Sequence, residues 1–307
     1  MKKYSKLIGV SGGPDSMLLL HKYKSKNIIV AHVNYHYRGD ESNEDQRLVV
    51  NYCKKNNLLY KVLDLNEELN QKYLHIKNKQ ARARQIRFDF FYKIANEYDI
   101  KNIYIAHNKD DFIETAMLQE RRDKHNRKLF FGIQKNQKKS SKIYVKDFKI
   151  KRPLLMYWKD QILLINKRKS IPFRFDQSNS SLKYERNKIR SILSKNYTTS
   201  QKQEIYQSYY NKNKFLRPER KRIEKLFKNW KKTEFSISLF LKNEISDKQY
   251  LIYLFVNENN EQTNLTFDKI NSIINFVDSK NNNNKKYVLS NLSYISKKNK
   301  KLIIITK

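Results

Sequence analysis

Three short clusters in the first half of the chain bring together residue types that do chemistry. The first is Ser11-Gly12-Gly13-Pro14-Asp15-Ser16, set between a short apolar run and a helical pattern. A turn at that place offers a nest of backbone N–H groups and the positive end of a helix dipole, which suits an anion. Gly12 and Gly13 allow the backbone to approach closely, Ser11 and Ser16 add hydroxyl donors, and Pro14 suits a first helical turn, where no N–H is missed. Asp15, read alone, is a first-turn helix charge. The second cluster is Asp111 and Glu114, three residues apart and therefore on one helix face. Two carboxylates so placed could hold cationic groups or accept a proton, whereas capping is the ordinary use of Asp110 or Asp111. Arg84 and Arg87 form the third, again three apart, on a face displaced from the apolar one. His32 and His107 close two strand-like runs, where a polar ring is more often structural than catalytic.

These residues need a scaffold, and the hydrophobic pattern supplies one. Leu7–Val10, Ile28–Val33, Leu58–Leu63 and Asn102–Ala106 read as strands. Between and after them, Asp15–Tyr23, Glu44–Lys55, Lys79–Asn96 and a segment from Phe112 read as helices, the third with Ala83, Ile86, Phe90 and Ile94 along one side. Such alternation predicts an α/β fold, a parallel sheet wrapped on both faces with its ligands at the carboxyl ends of the strands. Gln134–Lys142 reads as a solvated loop. From about residue 200 the texture becomes basic and helical: a helix pair over 201–232, two further helices, then a short β-ribbon after Asn281–Asn284. The expected domains are 1–200, carrying the chemistry, and 201–307, a smaller, mainly helical and basic domain.

Composition narrows the classes. Lys and Arg number 65 against 30 Asp and Glu, a net charge of +35. The excess fits a phosphate-rich partner, because basic surfaces gain affinity by displacing counterions. It fits equally the Lys-, Asn-, Ile- and Tyr-rich usage of an AT-rich genome. Cys53 is the single cysteine, so a disulfide framework, a Cys-x-x-Cys zinc site and a cysteine-held cluster within one chain are excluded. No apolar run approaches the roughly 18 residues of a membrane span, and the N-terminal stretch lacks a secretory apolar region. A cytoplasmic protein is expected. The glycine turn is neither a Walker A loop nor G-x-G-x-x-G.

The loop Ser-Gly-Gly-Pro-Asp-Ser resembles that of the PP-loop, Rossmann-like ATP pyrophosphatase superfamily, whose enzymes activate an oxygen as an AMP ester. Five further motifs resemble one family within it, the tRNA(Ile)-lysidine synthases. "AHVNYHYR" at 31–38 resembles His-Val-Asn-His-Gly-Leu-Arg, with Tyr35, His36 and Tyr37 departing from it. "ARQIRF" at 83–88 resembles Ala-Arg-x-x-Arg-Tyr, and "AHNKDDFIET" at 106–115 resembles Ala-His-x-x-Asp-Asp-x-x-Glu-Thr. "RPLL" at 152–155 and "DQSNSSLKYERNKIR" at 176–190 complete the series in family order. A glycine-rich stretch usual before Arg-Pro-Leu-Leu is replaced here by residues with Gly132 alone.

The resemblance implies a ligase reaction on the wobble cytidine of the CAU anticodon of tRNA(Ile). ATP adenylates the 2-carbonyl oxygen, and free L-lysine then displaces AMP, with Mg²⁺ neutralising phosphate charge. It implies that residues Ser11 to Ser16, His32, Arg87 and His107 bind ATP, with Asp15 on the metal side. Asp111 and Glu114 would receive lysine or accept its proton, Arg87 would meet the transferring phosphate, and Arg84 an RNA phosphate. Arg186 and Arg190 are candidates for closing over substrate, and 201–307 for binding tRNA. Two alternatives stay open: a thiolase-type tRNA modifier of the same superfamily, against which the lone Cys53 speaks, and an RNA-binding protein whose loop only senses nucleotide. The aromatics Tyr206, Tyr209, Tyr210, Phe227 and Trp230 read either as RNA contacts or as core stripes.

Overall fold

The computed structural model describes residues 4–24, 27–123, 128–141, 144, 146–175, 185–259, 265–279, 286–290 and 293–306. Two compact units are present, one of residues 1–122 and 131–210 and one of residues 123–130 and 211–307.

In the first unit, strands and helices alternate: β1 (Lys6–Gly9), α1 (Pro14–Tyr23), β2 (Ile28–Asn34), α2 (Asp40–Lys55), β3 (Leu59–Asp64), α3 (Glu67–Gln71), α4 (Lys79–Glu97), β4 (Asn102–Tyr104) and α5 (Lys109–Arg122). Then come β5 (Asn136–Ser141), β6 (Lys146–Lys151), a 3₁₀ turn (Pro153–Met156), α6 (Lys159–Arg168), α7 (Glu185–Asn196) and the start of α8 (Thr199–Lys232). The six strands lie in the order β3-β2-β1-β4-β6-β5, and all neighbours pair parallel except β5 with β6. The chain crosses outward from β1 in both directions, so the carboxyl ends of β1 and β4 flank the switch point where such sheets bind ligands.

Alternation along the strands builds a core on each face. Ile8 and Val30 face Leu18, Val49, Cys53 and Ile162 on one side, while Leu7, Ile29 and Ile103 face Phe91, Tyr92 and Ile94 of α4 on the other. Cys53 is wholly buried, a packing residue whose thiol burial pushes up to about 12. The buried stripe of α4 is Ile86, Phe88, Phe91, Tyr92, Ile94 and Ala95, wider than the periodicity alone suggested.

Two expectations are corrected here. Gln134–Lys142 was expected as a loop, yet Asn136–Ser141 forms β5, registered against β6 from Asn136–Lys151 to Ser141–Lys146. An edge strand rich in Lys and Ser carries no hydrophobic alternation, which suits a strand that must discourage further pairing. The helix pair expected over 201–232 is one helix of 34 residues with Pro218 inside it. Proline removes one backbone hydrogen bond, and a helix long enough to bury side chains on both sides of it tolerates the loss.

In the second unit, Trp230 of α8 packs with Phe240 of α9 (Ile237–Leu241), Phe255 of α10 (Ile245–Asn259) and Ile273 of α11 (Phe267–Asp278). The segment expected as a ribbon is a three-stranded antiparallel sheet, β7 (Lys286–Ser290), β8 (Ser293–Lys298) and β9 (Lys301–Thr306). Asn281–Asn284 lies outside the described residues. Among the described residues no helix is long and apolar enough to cross a membrane.

Candidate active site

The loop after β1 is held by its own serines. The Ser16 hydroxyl donates to the Gly13 carbonyl at 2.9 Å and accepts from the Ser11 N–H at 3.1 Å. Gly13 is the N-cap of α1 and Pro14 its first residue. Gly12 has φ +94°, and a Cβ there would lie 3.3 Å from Cβ of Asp45. A side chain is thus opposed both by backbone conformation and by α2. The Gly12 carbonyl accepts from the Arg174 N–H at 3.0 Å, and Asn166 Nδ2, fully buried, donates to the Pro14 carbonyl at 2.9 Å. The loop is therefore fixed from three sides.

A cavity of about 210 Å³ opens beside it, at the carboxyl ends of β1, β2 and β4. Ser11, Gly13, Asp15 and Ser16 contribute to its wall, and Arg87, His107 and Tyr35 face it from other elements. Gly9 belongs to the same wall, and a Cβ on it would lie 2.5 Å from the Phe91 ring. Arg87 has a buried Nε without a hydrogen-bond partner, and no carboxylate pairs with its guanidinium among the described residues. A cation left uncompensated in a cavity wall suits an anionic ligand. Burial, reinforced by Arg152 and Arg87, holds the His107 pKa well below the usual histidine range. Its Nδ1 accepts from Arg152 Nε at 3.2 Å, so the neutral ring carries its proton on Nε2 and is a donor. Burial pushes the Tyr35 phenol up to about 12, and its hydroxyl donates to the Ala83 carbonyl at 2.8 Å.

His32 sits elsewhere. Side chains alternate along β2, so Ala31 and Val33 face the cavity while His32 points away, its Nδ1 2.9 Å from the Val10 carbonyl. Its ring is a tether between β2 and β1.

The carboxylates form a second cluster next to the loop. Arg186 reaches Asp111 Oδ1 with Nη2 at 2.7 Å and Glu114 Oε2 with Nε at 2.9 Å. Arg190 grips both oxygens of Glu114, at 2.7 and 3.0 Å. Glu114 is 2% exposed. Burial lifts the Asp111 carboxyl to about 6 against the opposing pull of Arg186. Asp110 turns from this cluster. It accepts from the Lys159 N–H at 2.8 Å and from Lys202 Nζ at 3.3 Å, a structural use.

Asn108 joins the two clusters. Its Nδ2 donates to Asp15 Oδ1 at 3.1 Å, and its Oδ1 accepts from the Asp111 N–H at 2.9 Å. Lys159 Nζ lies 2.5 Å from Asp15 Oδ2. Asn108 lies inside a quoted motif and Lys159 shortly after another, but nothing in their spacing announces these contacts. Arg84 is exposed, with its guanidinium 5.0 Å from the Phe88 ring centre, and does not line the cavity. The first half of the last motif, 176–184, lies outside the described residues. Of the later aromatics, Tyr206 packs on Phe112 and Trp158, Tyr209 on Phe131, and Phe227 on Trp230. Four of the five are packing residues, and Tyr210 is 54% exposed.

Comparison with known proteins agrees with this architecture. A family model described as a PP-loop domain matches residues 1–197. The chain is 40% identical to the tRNA(Ile)-lysidine synthase of Malacoplasma penetrans, with 98% of each chain covered. It is 38% identical to that of Mycoplasmopsis pulmonis, over 98% of this chain and all of the relative. Against that of Mycoplasma pneumoniae it is 32% identical, with both chains covered in full. Among solved structures, the U34-tRNA thiolase NcsA from Methanococcus maripaludis, with its [4Fe-4S] cluster, superposes with a TM-score of 0.52 at 23% identity, over 69% of this chain and 73% of that one. That likeness concerns the fold.

Proposed function

Because the chain belongs to the tRNA(Ile)-lysidine synthase family, we propose that it ligates free L-lysine to C2 of the wobble cytidine in the CAU anticodon of tRNA(Ile), consuming ATP. In the first step the cytidine 2-oxygen attacks the α-phosphorus, the bond to the β-phosphate oxygen breaks, and pyrophosphate leaves. In the second, the uncharged ε-amine of lysine attacks C2, the C2–O bond breaks, AMP leaves, and the amine gives up a proton. The chemistry is a substitution made feasible by turning a poor leaving oxygen into a phosphate ester.

The observation that carries this reading is the bridge made by Asn108 between Asp15 of the phosphate loop and Asp111 of the carboxylate pair. It supports a nucleotide end and a cation end adjoining one reacting carbon. The loop N–H groups, Ser11 and Ser16 cradle phosphates, Arg87 neutralises the α-phosphate, and His107 donates from Nε2. Asp111 and Glu114 receive the lysine cation, and Asp111, lifted towards neutrality by burial, is the better proton acceptor.

Among the described residues no three His, Cys, Asp or Glu side chains cluster as a metal site. Mg²⁺ needs no such cage, since it is commonly held by one or two carboxylates and substrate phosphates. Asp15 in the cavity wall fits that role, and the ion would supply charge neutralisation of the phosphates. A thiolase reading is disfavoured because the one thiol, Cys53, is buried and held protonated. The protein would work in the cytoplasm, where its substrates are.

The test is incorporation of labelled lysine into a CAU-anticodon tRNA(Ile) transcript with ATP and Mg²⁺, beside a transcript lacking the wobble cytidine. Incorporation into the first alone, lost in Asp15→Asn, is expected. AMP formation without lysine transfer would point to another nucleophile. Tight tRNA binding with neither signal would favour a nucleotide-sensing binder.

A further inference from the structure

Tyr35, His36 and Tyr37 are the three residues at which this chain departs from its family's pattern after β2. The backbone there is unusual. His36 has φ +54°, a left-handed conformation uncommon outside glycine and costing about 1 kcal/mol or more. It is held by a hydrogen bond from its N–H to Asn34 Oδ1 at 3.0 Å and by a hydrogen bond between its ring Nε2 and the Asp64 carboxylate. In an extended strand, residues 35 and 37 would be about 7 Å apart on the same side. The left-handed turn instead folds the two rings onto each other, with centroids 5.3 Å apart and planes at 26°.

The two rings have different surroundings. Tyr35 is anchored to α4 through the Ala83 carbonyl and forms part of the cavity wall. Tyr37 is stacked on it outside that wall and is 49% exposed. One face of half-exposed Tyr37 is therefore backed by the anchored ring of Tyr35, itself part of the cavity wall. Exposed Arg84 lies on α4 next to the residue that anchors the pair. An aromatic face of this kind, pre-oriented by a second ring, has the features of a stacking platform for a nucleobase of a single-stranded RNA segment. The cavity itself is the place for the nucleotide co-substrate, so the base on Tyr37 belongs to the RNA.

We infer that Tyr37, backed by Tyr35, stacks a nucleobase of the anticodon loop and positions the RNA at the mouth of the cavity. This rests on the tRNA reading above. Stacking is indifferent to base identity because every base has a π-face, so the platform supplies affinity and register, leaving discrimination to the cavity.

The experiment compares wild type with Tyr37→Ala, Tyr37→Leu, Tyr37→Phe and Tyr37→Trp, measuring tRNA(Ile) Kd, the KM for tRNA and the KM for ATP. The leucine variant keeps apolar bulk without a π-face. Ala and Leu should weaken tRNA binding about tenfold, with Phe and Trp within about twofold of wild type. The KM for ATP and the melting temperature should not move, since the ring is half-exposed. The slope of log Kd against log salt should also be unchanged, because no phosphate contact is lost. Wild-type affinity in the leucine variant would overturn the inference, as would a rise confined to the KM for ATP, which would assign the platform to adenine. Failure of wild type to bind or modify tRNA would instead overturn the reading on which the inference stands.

Discussion

The ammonium of Lys159 lies 2.5 Å from the carboxylate of Asp15, although 144 residues separate them in the chain. This pair, at the N-termini of α6 and α1, keeps a cation beside the phosphate loop. Lys159 is therefore a candidate partner for a triphosphate held in the loop. Lys159→Met should slow tRNA-dependent pyrophosphate release about 30-fold, equivalent to roughly 2 kcal/mol of lost charge stabilisation. The melting temperature should move little, because a partly exposed pair contributes under about 1 kcal/mol to stability. Unchanged pyrophosphate release would remove Lys159 from the site.

Gly12 and Gly13 should respond differently to alanine. At Gly12 the positive φ and the approach of Asp45 oppose a side chain, so Gly12→Ala should cost about 1–3 kcal/mol in urea unfolding and raise the KM for ATP. At Gly13 a Cβ meets nothing nearer than Ser11 Oγ at 3.7 Å. Gly13→Ala should therefore be the milder in stability, within about 0.5 kcal/mol of wild type. The reverse order would show that the loop conformation differs from the one described.

Asp111 sets a pH dependence. With its carboxyl lifted to about 6 by burial, it is neutral below that pH and cannot balance a lysine ammonium. The KM for lysine should rise as pH falls through about 6. The stability effect has the opposite direction. The folded protein holds this proton at pH values where the unfolded chain has released it. The contribution of Asp111 to stability is then greatest below about pH 4 and falls as pH rises to about 6. Lysine KM measured from pH 5 to 8 tests the first statement, and a flat profile would contradict it.

Glu114 is almost fully enclosed by two guanidiniums, themselves about a third exposed (35% and 36%). Glu114→Gln leaves both short of charge and should destabilise the protein by about 2 kcal/mol, below the roughly 3–5 kcal/mol of a fully buried broken pair because the arginines still reach water. Arg190→Lys keeps the charge but loses the two-pronged grip and should cost about 1 kcal/mol. If Glu114 also receives substrate, the Gln variant should raise the KM for lysine beyond what a stability-matched variant of the α11 core shows. Equal KM values would leave Glu114 a purely structural clamp between α5 and α7.

Much of this protein is local and so was readable from the chain alone. Strand–helix alternation reports a parallel sheet because each residue's burial follows a period of two or 3.6. The Ser11–Ser16 turn reads as a candidate anion site because glycine and a helix start act through nearest neighbours. Asp111 and Glu114 share a face by helix geometry, whatever surrounds them. Other features depended on partners distant in sequence. The polar β5 is a strand only because β6 lies beside it, and the residues of α8 do not themselves say that Pro218 would be spanned. Whether His32 or Val33 faces the cavity depends on which side of the sheet α2 occupies. Asp110 and Asp111 are adjacent and alike, yet Lys159 and Lys202 claim one while Arg186 claims the other. The chain alone determined which chemistry was at hand, because residue type and short-range period are local. Only tertiary structure decided which of the charged groups meet, because ion pairs and packing are set by distances through space.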